Sequence, residues 1–113
     1  MRDDLRAPIF TVCWDLCTWL LHKARPQPHD LLAQSLAQEG LRLLDSITLA
    51  LKNIDREQAL EEADVLVLRL RLRLRLAVET GLLDERQGQY ALQQADSIGR
   101  QLGGWHKSLS EGR

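Results

Sequence analysis

Aromatic residues are scarce in this chain: three Trp, one Tyr and one Phe among 113 residues. Sheet-built cores draw on aromatic and β-branched strands, so this composition favours a Leu- and Ala-rich helical protein over a sandwich. Cysteine is equally sparse. Cys13 and Cys17 stand four apart, on one face of a helix, while His22, His29 and His106 are scattered rather than grouped at zinc-like spacing. The pair reads as two buried thiols in a reducing cytoplasm, with no metal centre. No apolar run free of charge is long enough to span a bilayer, and no secretory signal pattern is visible. The expectation is a cytoplasmic protein with no membrane contact.

Neither charge predominates. Fifteen Lys and Arg oppose sixteen Asp and Glu, a formal net charge of −1. Nothing global draws the chain to nucleic acid, although the charge is unevenly spread. Asp55 to Asp64 is acidic, whereas Arg69 to Lys107 is basic. Catalytic signatures are missing as well. The serines lack a nucleophile-elbow context, and no His–Asp arrangement is suggested by spacing. Gly103-Gly104 does not follow a strand, so it is no phosphate loop. A non-enzyme without cofactors is expected.

What the chain does have is a long organising stretch from Val65 to Lys107. From Leu68 to Leu76 it alternates Leu and Arg strictly, which taken alone is the period of a half-buried strand. Leu and Arg are strong helix formers, the flanks read as helix, and the segment exceeds an ordinary strand. It reads as helix. At 3.6 residues per turn, Leu66, Leu70, Leu74 and Ala77 make one apolar stripe, and Val65, Leu68, Leu72 and Leu76 a second. Arg69 and Arg73 lie between them on one side, Arg71 and Arg75 on the other. A surface helix needs only one apolar stripe. The second implies a neighbouring subunit, or else a helix central to one bundle.

The rest of the chain supplies three more helices in a single domain, residues 1–113, of helical-bundle size. The spans are about 8–24, 30–53, 55–80 and 85–108, flanked by a frayed Met1–Ala7 and a loose tail from Ser110. Pro8 opens the first, where Ile9, Val12, Cys13, Leu16 and Leu20 recur at helical spacing. Asp30, Asp55 and Asp84 stand as N-caps, the last with Gln87 in a capping-box arrangement. Leu32, Leu36, Leu43, Ile47 and Leu51 form the main stripe of the second helix, and Gly40 inside it suggests a close crossing. Gly99, Gly103 and Gly104 each cost roughly 1 kcal/mol in a helix relative to Ala. They imply either another backbone close by or, for the Gly pair, the end of the helix. Short connections favour an up-down-up-down antiparallel four-helix bundle.

Several motifs carry a resemblance. Arg71-x-Arg73-Leu-Arg-Leu-Ala-Val-Glu-Thr-Gly-Leu-Leu83, Glu85-Arg-Gln87, Tyr90, and above all Ile98-Gly-Arg-Gln-Leu-Gly-Gly-Trp-His-Lys-Ser108 resemble the Avd-like four-helix-bundle family. These are accessory variability determinants of diversity-generating retroelements, related to proteins encoded in ribosomal RNA intervening sequences. Trp14-Asp-Leu-Cys-Thr-Trp-Leu-Leu21 followed by Arg25-Pro26 fits the family's opening, so the resemblance runs from about Phe10 to Ser108. It implies an all-α protomer assembled as a homopentameric barrel, bacterial or phage-encoded. It also implies a non-catalytic subunit that binds a reverse transcriptase and template RNA, with DNA as a further partner, to support mutagenic cDNA synthesis. The net charge of −1 departs from the strongly basic surfaces typical of the family.

The arginines are the candidate site. Arg69, Arg71, Arg73 and Arg75, with Arg100 and Lys107 seven apart on the fourth helix, are the residues expected to meet phosphates or a partner. The competing reading has Arg69 to Arg75 lying over leucine stripes and pairing with carboxylates of adjacent helices or subunits. The protein is then a self-assembling interaction module without direct nucleic-acid binding.

Overall fold

The computed structural model describes residues 7–112. Four helices follow in order: α1 (Pro8–Ala24), α2 (Leu31–Leu51), α3 (Arg56–Glu79) and α4 (Glu85–Glu111). No strand occurs among the described residues. The Leu–Arg alternation is wound entirely into α3.

Each helix packs on two others: α1 on α2 and α4, and α3 on α2 and α4, while the backbones of the diagonal pairs stay apart. That is a square bundle, 46 × 22 × 21 Å in extent. Its hand-to-hand contacts run antiparallel. The Gln34 side-chain amide donates to the Ala24 carbonyl, Arg73 meets Glu39, and His106 meets Asp64. In each pair of consecutive helices a rising number on one faces a falling number on the next, which is the up-down-up-down order.

Local chemistry explains most of the helix ends. Pro8 occupies the first turn of α1, where its missing N–H leaves nothing unpaired. Asp30 caps α2 by accepting from Ala33 N at 2.8 Å. Asp84 and Gln87 close a full capping box, at 2.7 and 3.0 Å. Asp55 departs from expectation. Its backbone is left-handed, φ 46°, and its carboxylate makes no cap bond. With Asn53 also at φ 57°, the tight α2–α3 turn swings the Asp55 side chain away from the first-turn N–H groups. Only its backbone carbonyl serves the helix, accepting from Ala59 N.

The loose tail expected from Ser110 is corrected too. Helix α4 continues to Glu111 because Leu109 packs, half-buried, against the core and holds the last turn. Of the frayed lead-in expected over Met1–Ala7, Ala7 is instead the N-cap residue of α1 and packs half-buried against the core, and the rest lies outside the described residues.

The core lies along the bundle axis. Leu16, Leu20, Leu43, Ile47, Leu66, Leu70, Leu74, Ile98 and Leu102 have essentially no exposed surface. On α2, Leu36, Leu43 and Ile47 of the expected stripe are buried, Leu32 and Leu51 at its two ends are half-buried, and Ala33, Ala37, Gly40 and Ala50 are buried beside them. Small residues there let α1 approach. A Cβ on Gly40 would come within 2.9 Å of Leu20 Cδ1, the close crossing its position suggested. Cys13 and Cys17 are buried free thiols on this same contact. Desolvation, then the neighbouring Cys17, pushes the Cys13 thiol up from 9.0 to about 12. Burial, then Asp45, raises Cys17 as well. Among the described residues, no helix is long and apolar enough to cross a membrane.

Candidate interaction face on the third helix

The two stripes of α3 separate as their spacing requires. Leu66, Leu70, Leu74 and Ala77 are each 0–1% exposed. Val65, Leu68, Leu72 and Leu76 are 47–59% exposed, on the side of the helix facing directly away from the core. The bundle therefore does not use the second stripe. Four large aliphatic side chains in line on one helix make a contiguous apolar surface, which a soluble protomer rarely shows without a partner for it.

The arginines frame this surface and fall into two pairs. On the α2 side, Arg73 Nη1 lies 2.6 Å from Glu39 Oε1, and Arg69 Nη1 lies 4.0 Å from the same oxygen. Glu39 is 5% exposed, and its second oxygen has no hydrogen-bond partner. A buried carboxylate is costly unless paired, so Arg73 and Arg69 are held against α2 by that need. On the α4 side, Arg71 Nε meets Asp96 Oδ1 at 3.1 Å, with both side chains about half exposed. Arg75 has no ion-pair partner among the described residues. Leu68, Leu72, Arg71 and Arg75 of α3 and Leu92 and Asp96 of α4 together line a shallow groove beside the stripe.

Arg100 and Lys107 are exposed on α4, but not beside Arg75. The register set by Arg71–Asp96 and Asp64–His106 puts Arg100 level with about Val67 and Lys107 level with about Ala63. Lys107 thus lies toward the acidic end of α3. The six expected residues form no single basic patch. Their strongest local charge is the α3 cluster, where three guanidinium groups share two carboxylates and that of Arg75 is left over.

Glu39 is the site residue that sequence reasoning missed. It stands three residues after Leu36 and four before Leu43, on the apolar stripe of α2. A carboxylate at that position was the available signal of a paired, buried charge.

The glycine pair does not end the helix, and within the protomer no other backbone approaches it. Helix α4 passes through Gly103 and Gly104 without ending, and a Cβ on either would meet nothing within 4 Å. Gly99 would make only ordinary contact, with Val67 Cγ1 at 3.6 Å. The close approach occurs instead at Gly88, where an added Cβ would overlap Val78 Cγ2.

Elsewhere, His106 Nε2 and Asp64 Oδ2 are 2.7 Å apart at the end of the bundle where Arg56 lies over the Trp105 ring. Both are well exposed, and neither hydrogen-bonds a serine or cysteine that could act as a nucleophile. No family model, curated protein or solved structure matches the chain.

Proposed function

We propose that this protein is a non-catalytic accessory subunit of a diversity-generating retroelement. In this reading it assembles with copies of itself and binds the element's reverse transcriptase and template RNA during mutagenic cDNA synthesis. The observation that carries the reading is the outward leucine stripe of α3 set between two arginine pairs. It combines an apolar surface suited to a protein partner with cations suited to phosphate. The resemblance from Phe10 to Ser108 supplies the identity of the partners, and the homopentameric barrel is part of the same proposal.

The arrangement of charge refines it. Arg69, Arg71 and Arg73 already face carboxylates of their own chain and Arg75 borders the stripe offered to a partner, which leaves Arg100 and Lys107 as the cations most open to RNA. That pairing also favours a second reading, a self-assembling interaction module that reaches nucleic acid only through its polymerase.

Binding to a structured RNA hairpin across a salt series separates the two. Under the first reading, affinity falls with salt at a slope of about 2, one unit per engaged cation, and Arg100→Glu lowers that slope by about one. Absence of binding at low salt sinks direct RNA recognition. Failure to co-purify with a co-expressed reverse transcriptase, in turn, sinks the accessory role.

A further inference from the structure

The stripe on α3 has a counterpart elsewhere on the same protomer. Between α1 and α2, on the side of the square opposite the α3–α4 side, Phe10, Trp14, Leu44, Thr48 and Leu49 line an open groove with one carboxylate, Asp45. Trp14 is 54% exposed and lies tilted on Phe10, with ring centroids 5.9 Å apart. One face is thus a ridge, a single row of leucines standing out from one helix. The other is a furrow between two helices, walled by aromatic and aliphatic side chains.

Charge matches as well as shape. Arg75 borders the ridge and Asp45 lies in the furrow, and neither has an ion-pair partner among the described residues. Packing ridge on ridge about a two-fold axis would instead bring two sets of arginines together, and like charges brought together at an interface disfavour the contact. The furrow offers a carboxylate where the ridge brings an unpaired guanidinium.

Resting on the reading that the chain self-assembles, we propose that the α3 ridge of one copy seats in the α1–α2 furrow of a second, Arg75 meeting Asp45. Because the two faces differ and lie on different sides, the contact is head-to-tail. Such contacts propagate from copy to copy and close into a ring where the rotation between copies permits. The leucines then give up the water they face in the single protomer, which favours the contact.

Two measurements on the full chain test this. The first is light scattering with cross-linking by a short bis-maleimide of Leu72→Cys, Thr48→Cys and the double variant; the native thiols are buried. Head-to-tail docking predicts a ladder of linked oligomers from the double variant and little linkage from either single one. Dimers from Leu72→Cys alone, or an assembled protein with no ladder, overturn the proposal while leaving self-assembly intact. A wild type that remains monomeric overturns both. The second is a charge swap. Arg75→Asp and Asp45→Arg should each weaken assembly at least about tenfold, and their combination should restore it. Equal weakening by the combination overturns the assigned pair. Circular dichroism confirms folding of each variant, and none of the substituted side chains is in the core.

Discussion

Arg73 of α3 and Glu39 of α2 meet at 2.6 Å across 34 residues of sequence, and the carboxylate in that pair is sealed from water. Arg73 can turn outward if its partner is lost, because a third of its side chain is exposed, whereas Glu39 has nowhere to go. The two ends of the pair are therefore unequal. Arg73→Leu strands a buried charge and should cost about 3 kcal/mol, the low end for a broken buried pair because Arg69 remains nearby. Glu39→Gln should cost less, about 1 kcal/mol. Urea unfolding of both variants checks the order, and equal losses would contradict it.

Two aspartates at helix starts should respond in opposite ways. Asp84→Ala removes the capping box and should cost about 1 kcal/mol. Asp55→Gly removes no cap bond and relieves a left-handed backbone, so it should be neutral or mildly stabilising. Thermal melts of the two variants, compared with wild type, provide the measurement. A clear loss with Asp55→Gly would show that its carboxylate matters after all.

The glycines of α4 divide in the same fashion. Gly88→Ala drives a methyl into Val78 and should destabilise by about 1–3 kcal/mol. Gly103→Ala and Gly104→Ala point into open space on a helix and should each stabilise the protomer by up to about 1 kcal/mol. If either of these two instead disrupts assembly while raising protomer stability, a partner's backbone approaches α4 there. Chemical denaturation read beside light scattering resolves the cases.

Alkaline pH should unfold the protein through its thiols. The Cys13 thiol is raised from 9.0 to about 12 in the folded chain, so above pH 9 the unfolded state gives up a proton that the folded state keeps. Stability from this source is whole below pH 9 and declines as pH rises toward 12, with Cys17 acting in the same direction. A pH series of unfolding curves, compared with a Cys13→Ala variant whose decline is shallower, is the check. A thiol reagent at pH 8 should label neither cysteine until the protein unfolds.

The sequence announced whatever depends on residues a turn apart. The separation of Leu66, Leu70 and Leu74 from Leu68, Leu72 and Leu76, the caps at Asp30 and Asp84, and the crossing at Gly40 all follow from helical spacing and local chemistry. The burial of Glu39 was harder to see because its partner stands on another helix, in a register fixed only when α2 and α3 dock. Asp55 looked like a cap because cap preference describes residue type, whereas the α2–α3 turn decides backbone conformation. For the glycines of α4, spacing says that they are helical and is silent on what stands opposite. The same division holds at the candidate site. The two sides on which the arginines project could be read, but their carboxylate partners could not.

The winding of Leu68 to Leu76 into a helix has a cost during folding. As a helix, the segment sends Leu70 and Leu74 inward and Leu68, Leu72 and Leu76 outward, keeping the five leucines on separate surfaces. As an extended chain it would gather all five on one side and all four arginines on the other, a ready template for strands from other molecules. Local helix closure, on the order of a microsecond, must outrun such encounters between nascent chains. The four guanidinium groups assist, because stacked strands would crowd them against their equivalents. High salt screens that repulsion, and the balance during refolding at high concentration shifts there toward aggregation.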